Sequence, residues 1–104
     1  MPLKKIREAV KSRRIEWKKH ALKRLFERGI KRQDVFDAML SGEIIETYTE
    51  DKPLPSYLIS GIGGGKPLHT VLALDEKKET VFIITVYIPS SLQWESDWKT
   101  RRGK

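Results

Sequence analysis

The stretch ISGIGGGKPLHTVLALD (residues 59–75) contains four of the chain's seven glycines and decides which fold to expect. A phosphate-binding loop of the pattern GxxxxGK[ST] would need a glycine five positions before Gly65, where Ser60 stands, and a helix after its lysine. Here Pro67 follows Lys66, and the alternating, β-branched run LHTVLAL predicts a strand. Without a helix N-terminus to hold a phosphate, the stretch is expected to be a glycine-rich hairpin turn.

Alternating apolar residues continue on both sides of this turn. They predict four strands, at about residues 43–50, 56–62, 68–75 and 80–88. The connectors between them are short and rich in Gly, Pro and charged residues. The simplest topology is therefore a consecutive antiparallel meander.

Before Gly42 the apolar residues recur at helical spacing instead. They predict helices over about residues 3–13, 18–30 and 31–42, with IEW (residues 15–17) as a short extended connector. The second helix is expected to end at Gly29 and to direct one face inward, formed by Ala21, Leu22, Leu25 and Phe26.

The C-terminal residues predict a further short helix. Ser90 is an N-cap candidate, and Trp94 and Trp98 stand four residues apart. The whole pattern predicts a single α+β domain spanning residues 1–104. In it, two to three N-terminal helices pack on a four-stranded antiparallel sheet that is followed by the short C-terminal helix.

The composition restricts the chemistry that the chain can support. There is no cysteine, which excludes disulfides, thiolate zinc sites and a cysteine nucleophile. The two histidines have no metal-binding spacing, so we expect neither a metal nor another cofactor. No apolar run is long enough to span a membrane, and the basic N-terminus is unlike a signal peptide, so a cytoplasmic protein without membrane contact is expected.

The net charge of +7 is unevenly distributed. Residues 1–32 contain 13 Lys and Arg against 3 Asp and Glu, whereas residues 33–89 contain 4 against 9. A basic first third predicts attraction to a polyanion such as RNA, which should weaken with salt. The alternative is an ordinary solvated helix surface.

His20, Arg24 and Arg28 form an i, i+4, i+8 row on the second predicted helix. Arginine forks match phosphodiester oxygens, and a histidine can move a proton near neutral pH. Together with Lys23, the row is a candidate nucleic-acid-binding surface in which His20 can act as a base or an acid. Alternatively, such a row arises by chance on a basic helix, and His20 hydrogen-bonds a backbone group.

His69 and Tyr87 are further candidates, on the predicted strands. If strand 68–75 buries Leu68 and every second residue after it, His69 lies on the other side of the sheet. Thr85 and Tyr87 share one face of the last strand. The pattern leaves open whether His69 meets a helix, a groove or water, and whether Tyr87 packs in the core or contacts a base.

The joint pattern of the run HALKRLFERGI with GKPLH (residues 65–69) and TVYIP (residues 85–89) resembles the family known as domain of unknown function 4258, over about residues 17–98. That family is similar in layout to BrnT and RelE-like toxins of bacterial toxin–antitoxin pairs. The resemblance implies a ribonuclease-like fold, RNA and a small antitoxin protein as partners, and functional residues at His20, Arg24, Arg28, His69, Thr85 and Tyr87.

The leading functional hypothesis is a toxin that acts as a metal-independent endoribonuclease. The RNA 2′-hydroxyl would attack the adjacent phosphate, with His20, His69 and Tyr87 as candidate catalytic residues. The candidate nucleic-acid-binding residues are Lys23, Arg24, Arg28 and Thr85. The alternatives are a non-catalytic RNA-binding domain and a protein-interaction domain that docks through Trp94 and Trp98.

Overall fold

Three helices and five strands follow one another along residues 2–103, which the structure, a computed structural model, describes. The elements are α1 (Pro2–Lys11), β1 (Ile15–Trp17), α2 (Lys19–Arg28), α3 (Arg32–Ser41), β2 (Glu43–Tyr48), β3 (Ser56–Gly63), β4 (Lys66–Asp75) and β5 (Thr80–Tyr87). Within these residues, no helix has both the length and the apolar character needed to cross a membrane.

The five strands form one mixed sheet in the order β1-β5-β4-β3-β2. β2 to β5 are joined as the predicted antiparallel meander, whereas β1 runs parallel to β5. The hairpin between β3 and β4 closes at the pair Gly63 and Lys66, leaving Gly64 and Gly65 as its two-residue loop. Both have positive φ, at 62° and 74°. A tight turn of this kind needs two such residues, and this explains the paired glycines.

The helices cover one face of the sheet and enclose the core with it. Alternate residues of β4, including Leu68 and Leu72, are buried in that core together with Val35 and Met39 of α3. The backbones of α3 and β3 approach very closely, because a Cβ placed on Gly61 would lie 1.9 Å from the Ala38 carbonyl oxygen. Only glycine permits this contact.

The prediction of a four-stranded antiparallel sheet was wrong because IEW is a strand. Ile15 to Trp17 pair with residues 81–83 of β5. The contact is extended by backbone hydrogen bonds from Val81 to the Arg14 carbonyl and from Lys18 to the Ile83 carbonyl, both 3.0 Å. Three residues are too few to show the alternation of apolar and polar residues by which strands are recognised. In addition, the sequence around IEW contains no sign of a parallel partner strand that lies far along the chain.

The predicted C-terminal helix was also wrong. The Ser90 carbonyl accepts from Trp94 N at 3.0 Å, so one turn forms, but the chain then folds back and Trp94 bridges to Arg101. The Asp97 side chain accepts from the backbone N–H groups of Lys99 and Thr100 at 2.8 and 3.0 Å. Such local side-chain bonds compete with helix formation. Residues 90–103 are called the C-terminal segment below.

Candidate nucleic-acid interface and the buried histidine cluster

The polar side of α2 is exposed to solvent. His20, Lys23 and Arg24 are exposed, while Ala21 and Leu25 are buried in the core. The glycine at position 29 follows the last helical residue, as predicted. The structure therefore presents three of the predicted site residues together on one accessible helix.

The cations of α2 have no acidic partner, whereas two of those around α1 do. Lys5 Nζ lies 2.5 Å from Glu76 Oε1, and Arg14 Nη1 lies 2.7 Å from Glu79 Oε1. Among residues 2–103, no ion pair involves α2, although it carries four Lys and Arg and a single Glu. In the described part of the chain, other cations in the first third also lack an acidic partner, but α2 is a helix on which every cation is free of an ion pair and can meet a polyanion.

Arg28 has a structural contact that its neighbours in the row lack. Its Nη1 donates to the Val86 carbonyl at 2.5 Å. β1 pairs with β5 only as far as Ile83. The Arg28 guanidinium therefore donates to a backbone carbonyl of β5 that lies beyond the last residue paired with β1. The role of Arg28 in binding nucleic acid stays a prediction, and part of its donor capacity is already used.

Phe26 was expected to face inward, and it is instead 89% exposed. On a helical wheel with 100° between residues, half-buried Leu22 lies at the border of the buried side of α2. Phe26 lies farther from the centre of that buried side than Leu22 does. The i, i+4 rule assigns two apolar residues four positions apart to the same side of a helix. It does not show how much of that side contacts the rest of the protein. The sequence pattern therefore wrongly placed Phe26 in the core, whereas its ring lies exposed near unpaired cations.

His69 lies on the opposite side of the sheet from the core. Leu68 and Thr70 point into the helix layer, so His69 between them points to the other face, as the alternation predicted. Its register partners are Ser60 on β3 and Tyr87 on β5. The structure thus brings His69 and Tyr87 together, and packs α2 with His20 on the other side of the sheet.

Both ring nitrogens of His69 are engaged. Nε2 lies 2.6 Å from the Trp98 carbonyl oxygen, which also accepts from Ser60 Oγ at 2.8 Å. A carbonyl only accepts, so Nε2 carries the hydrogen, and in the neutral ring Nδ1 accepts from the Tyr87 hydroxyl 3.1 Å away. The imidazole is fully buried. In this conformation His69 has no free nitrogen for a substrate.

The C-terminal segment covers this cluster. The Trp94 ring is 2% exposed and meets the His69 ring edge-on, with centroids 4.5 Å apart. The Arg101 guanidinium lies 4.6 Å from the centre of the Trp94 ring and donates to both Glu46 carboxylate oxygens, at 2.6 and 3.1 Å. Because Trp94 is buried in this way, it is not available as the docking surface that one alternative required.

The electrostatics agree with a neutral, closed cluster. Burial is the main reason why the pKa of His69 is lowered from its ordinary value. The hydrogen bond from Arg101 is the main reason why the pKa of Glu46 is lowered. Burial also raises the pKa of Tyr87. These directions favour a neutral imidazole that accepts from a protonated tyrosine, an arrangement with which the hydrogen bonds are compatible.

Thr85 lies on the same face as Tyr87, opposite Val71 of β4, and is half-buried. The predicted site residues therefore fall into two groups. One group is exposed on α2; the other, with His69 and Tyr87, lies on the far face of the sheet near the C-terminal segment. The two groups could not be separated from the sequence, because their separation follows from the packing of α2 on the sheet.

Comparison with known proteins places the chain in a family. No curated protein and no solved structure matches the chain significantly. A family model described as Domain of unknown function (DUF4258) matches residues 17–88, which is more than half of the chain and extends from the end of β1 to just past β5. We conclude that the chain belongs to the family Domain of unknown function (DUF4258).

Proposed function

We propose that the chain binds RNA through the exposed side of α2. The observation that carries the proposal is the set of unpaired cations there, with Lys23 and Arg24 at its centre. Around α1 the acidic β4–β5 turn pairs with Lys5 and Arg14. Unpaired, solvated cations release counterions from a nucleic acid on binding, which is the main source of affinity for a polyanion.

The test is the salt dependence of RNA binding. We expect affinity for a short labelled RNA to fall with rising salt, and a Lys23→Ala/Arg24→Ala double variant to reduce the slope of log K against log salt by about 1.4, which is 0.7 per lost cation. A matched control is Lys77→Ala/Lys78→Ala, which removes the same charge from the exposed β4–β5 turn. Equal slopes for the two double variants would refute the proposal.

RNA cleavage by a toxin is a second candidate, favoured by the exposure of His20 one helical turn from Arg24. In this reaction His20 removes the proton of a 2′-hydroxyl, whose oxygen attacks the adjacent phosphorus. The bond to the 5′-oxygen breaks and that oxygen takes a proton from an acid, leaving a 2′,3′-cyclic phosphate. Arg24 stabilises the charge that develops on the phosphate.

His69 or Tyr87 was the expected partner group of His20, which here would be the acid. Both lie on the face of the sheet opposite to His20, beneath or beside the C-terminal segment. In this conformation neither reaches a phosphodiester held at His20, even if that segment moves away. The toxin–antitoxin context is proposed only from the resemblance in layout to BrnT and RelE-like toxins that the sequence pattern implies, and in it an antitoxin would cover the basic surface of α2.

Cleavage is tested with labelled RNA in the presence of EDTA. We expect EDTA-resistant cleavage that His20→Ala abolishes while the circular dichroism spectrum is unchanged. A parallel His69→Ala variant reports whether the buried histidine takes part. Cleavage that persists in folded His20→Ala would exclude the catalytic role, whereas binding without cleavage would leave the RNA-binding proposal alone.

A further inference from the structure

We propose that the ligand of α2 is a single-stranded polynucleotide, one base of which stacks on the ring of Phe26. The inference rests on the RNA binding proposed above. It adds that the nucleic acid is single-stranded and that one of its bases contacts Phe26. It is carried by the exposure of Phe26 and by the charges that surround it.

The Phe26 ring is available, unlike the other aromatic rings near the helix layer. Trp17 and Phe36 pack on each other with centroids 5.9 Å apart, and Arg32 lies 6.0 Å from the centre of the Trp17 ring. Both of these rings are half-buried at the border of the core. Phe26 is 89% exposed, so a flat ligand can reach it.

The neighbours of Phe26 match a polyanion better than a protein. Lys23 stands one turn before it on the same side of the helix, and Lys19 a further turn before that. Other exposed large apolar side chains within residues 2–103 lie on strands or in the C-terminal part, and none lies on α1 or α3. A lone aromatic ring beside cations lacks the contiguous apolar area of a protein-docking surface. Proteins bind single-stranded nucleic acids with this combination of an aromatic ring, on which a base stacks, and nearby cations, which contact the phosphates.

The ring discriminates between single strands and duplexes. In a duplex each base is already stacked between its neighbours, and its faces are closed to a side chain. In a single strand a base can turn out and stack on the ring while adjacent phosphates meet Lys23 and Lys19. Every base has such a face, and therefore little sequence preference is expected.

The experiment compares Phe26→Ala, Phe26→Leu and Phe26→Trp for binding to single-stranded RNA, single-stranded DNA and duplex RNA. We expect Phe26→Ala to weaken single-strand binding by about 5- to 100-fold with an unchanged salt slope, because no charge is lost. Phe26→Leu should also lose affinity, since it keeps the apolar group but not the flat ring, and Phe26→Trp should retain it. The matched control is Leu92→Ala, which removes another exposed apolar side chain, 86% exposed.

The outcomes separate this inference from the proposal beneath it. Absence of salt-dependent binding by the unaltered protein would overturn both. Binding that is the same for Phe26→Ala and the unaltered protein, or is weakened equally for single strands and duplexes, would overturn the stacking inference alone. Equal effects on single-stranded RNA and DNA would support it as stated, and an effect on RNA alone would support it with an added contact to the 2′-hydroxyl.

Discussion

The two histidines of the chain differ because His20 is exposed and His69 is buried. In the unfolded chain the His69 imidazole titrates at its ordinary pKa of 6.5, and burial lowers that pKa in the folded state. The folded protein therefore binds fewer protons than the unfolded chain as the pH falls below the ordinary value. Under these conditions protonation favours unfolding.

We expect the free energy of unfolding to decrease between pH 7 and pH 5, by at most about 1.4 kcal/mol per pH unit from this group. His69→Gln should remove that contribution, while His20→Gln keeps it. Because the pKa of Glu46 is lowered from 4.5, its contribution is lost only at lower pH. Urea denaturation at several pH values measures the effect, and identical pH profiles for His69→Gln and the unaltered protein would contradict it.

Gly61 is a position where a single methyl group should be costly. Its added Cβ would lie 1.9 Å from the Ala38 carbonyl oxygen, and that contact is between two backbones. We expect Gly61→Ala to destabilise the fold by about 1–3 kcal/mol in urea denaturation. Gly103→Ala is the control, since nothing lies within 4 Å of its added Cβ. A stable Gly61→Ala variant would show that α3 can move away from β3 at little cost.

At the scale of elements, Trp94 is the most deeply buried side chain of the C-terminal segment. The Trp94 ring is 2% exposed, whereas the Arg101–Glu46 pair lies near the surface, with 59% of the Arg101 side chain exposed. Burial of a large aromatic ring contributes more than an ion pair that solvent can reach. The attachment of the segment therefore depends on Trp94 more than on its charges.

We expect Trp94→Ala to cost about 3–5 kcal/mol of stability, and Arg101→Ala about 1 kcal/mol or less. Leu92→Ala, in the same segment but 86% exposed, should change stability by less than about 0.5 kcal/mol. Chemical denaturation of the three variants gives the comparison. If Arg101→Ala lowered the free energy of unfolding more than Trp94→Ala does, the segment would depend on its ion pair more than on the Trp94 ring.

At the scale of the whole molecule, β4 is the central strand of the sheet. It is hydrogen-bonded to β3 on one side and to β5 on the other, and it contributes Leu68, Leu72 and Leu74 to the core. α2 contributes only two fully buried side chains, Ala21 and Leu25. Stability is therefore expected to be unevenly distributed, with α2 opening before the central strands.

Hydrogen exchange measures this difference. Amides of β4 should exchange only by global unfolding, while those of α2 should exchange earlier by local opening. Single-stranded RNA should slow exchange in α2 selectively if the helix is the binding surface. Protection of α2 as strong as that of β4 in the free protein would contradict the expected order.

The sequence predicted local features well and distant contacts poorly. The three N-terminal helices, the four meander strands and the alternate faces of β4 were confirmed, because periodicity and turn residues are properties of short stretches. The exposure of Phe26 was missed, since the contact area of a helix depends on what it packs against. Nothing in IEW indicates that its partner is β5, more than sixty residues away.

By itself, the sequence determined the α+β class, the glycine turn between β3 and β4, and the location of the basic charge on the first third of the chain. The tertiary structure alone decided that β1 joins the sheet in parallel, that the C-terminal segment folds over His69, and that His20 and His69 lie on opposite sides of the sheet. The physical reason is that periodicity, turn residues and charge are encoded over a few neighbouring residues. Burial and hydrogen-bond partners arise only when distant segments pack together.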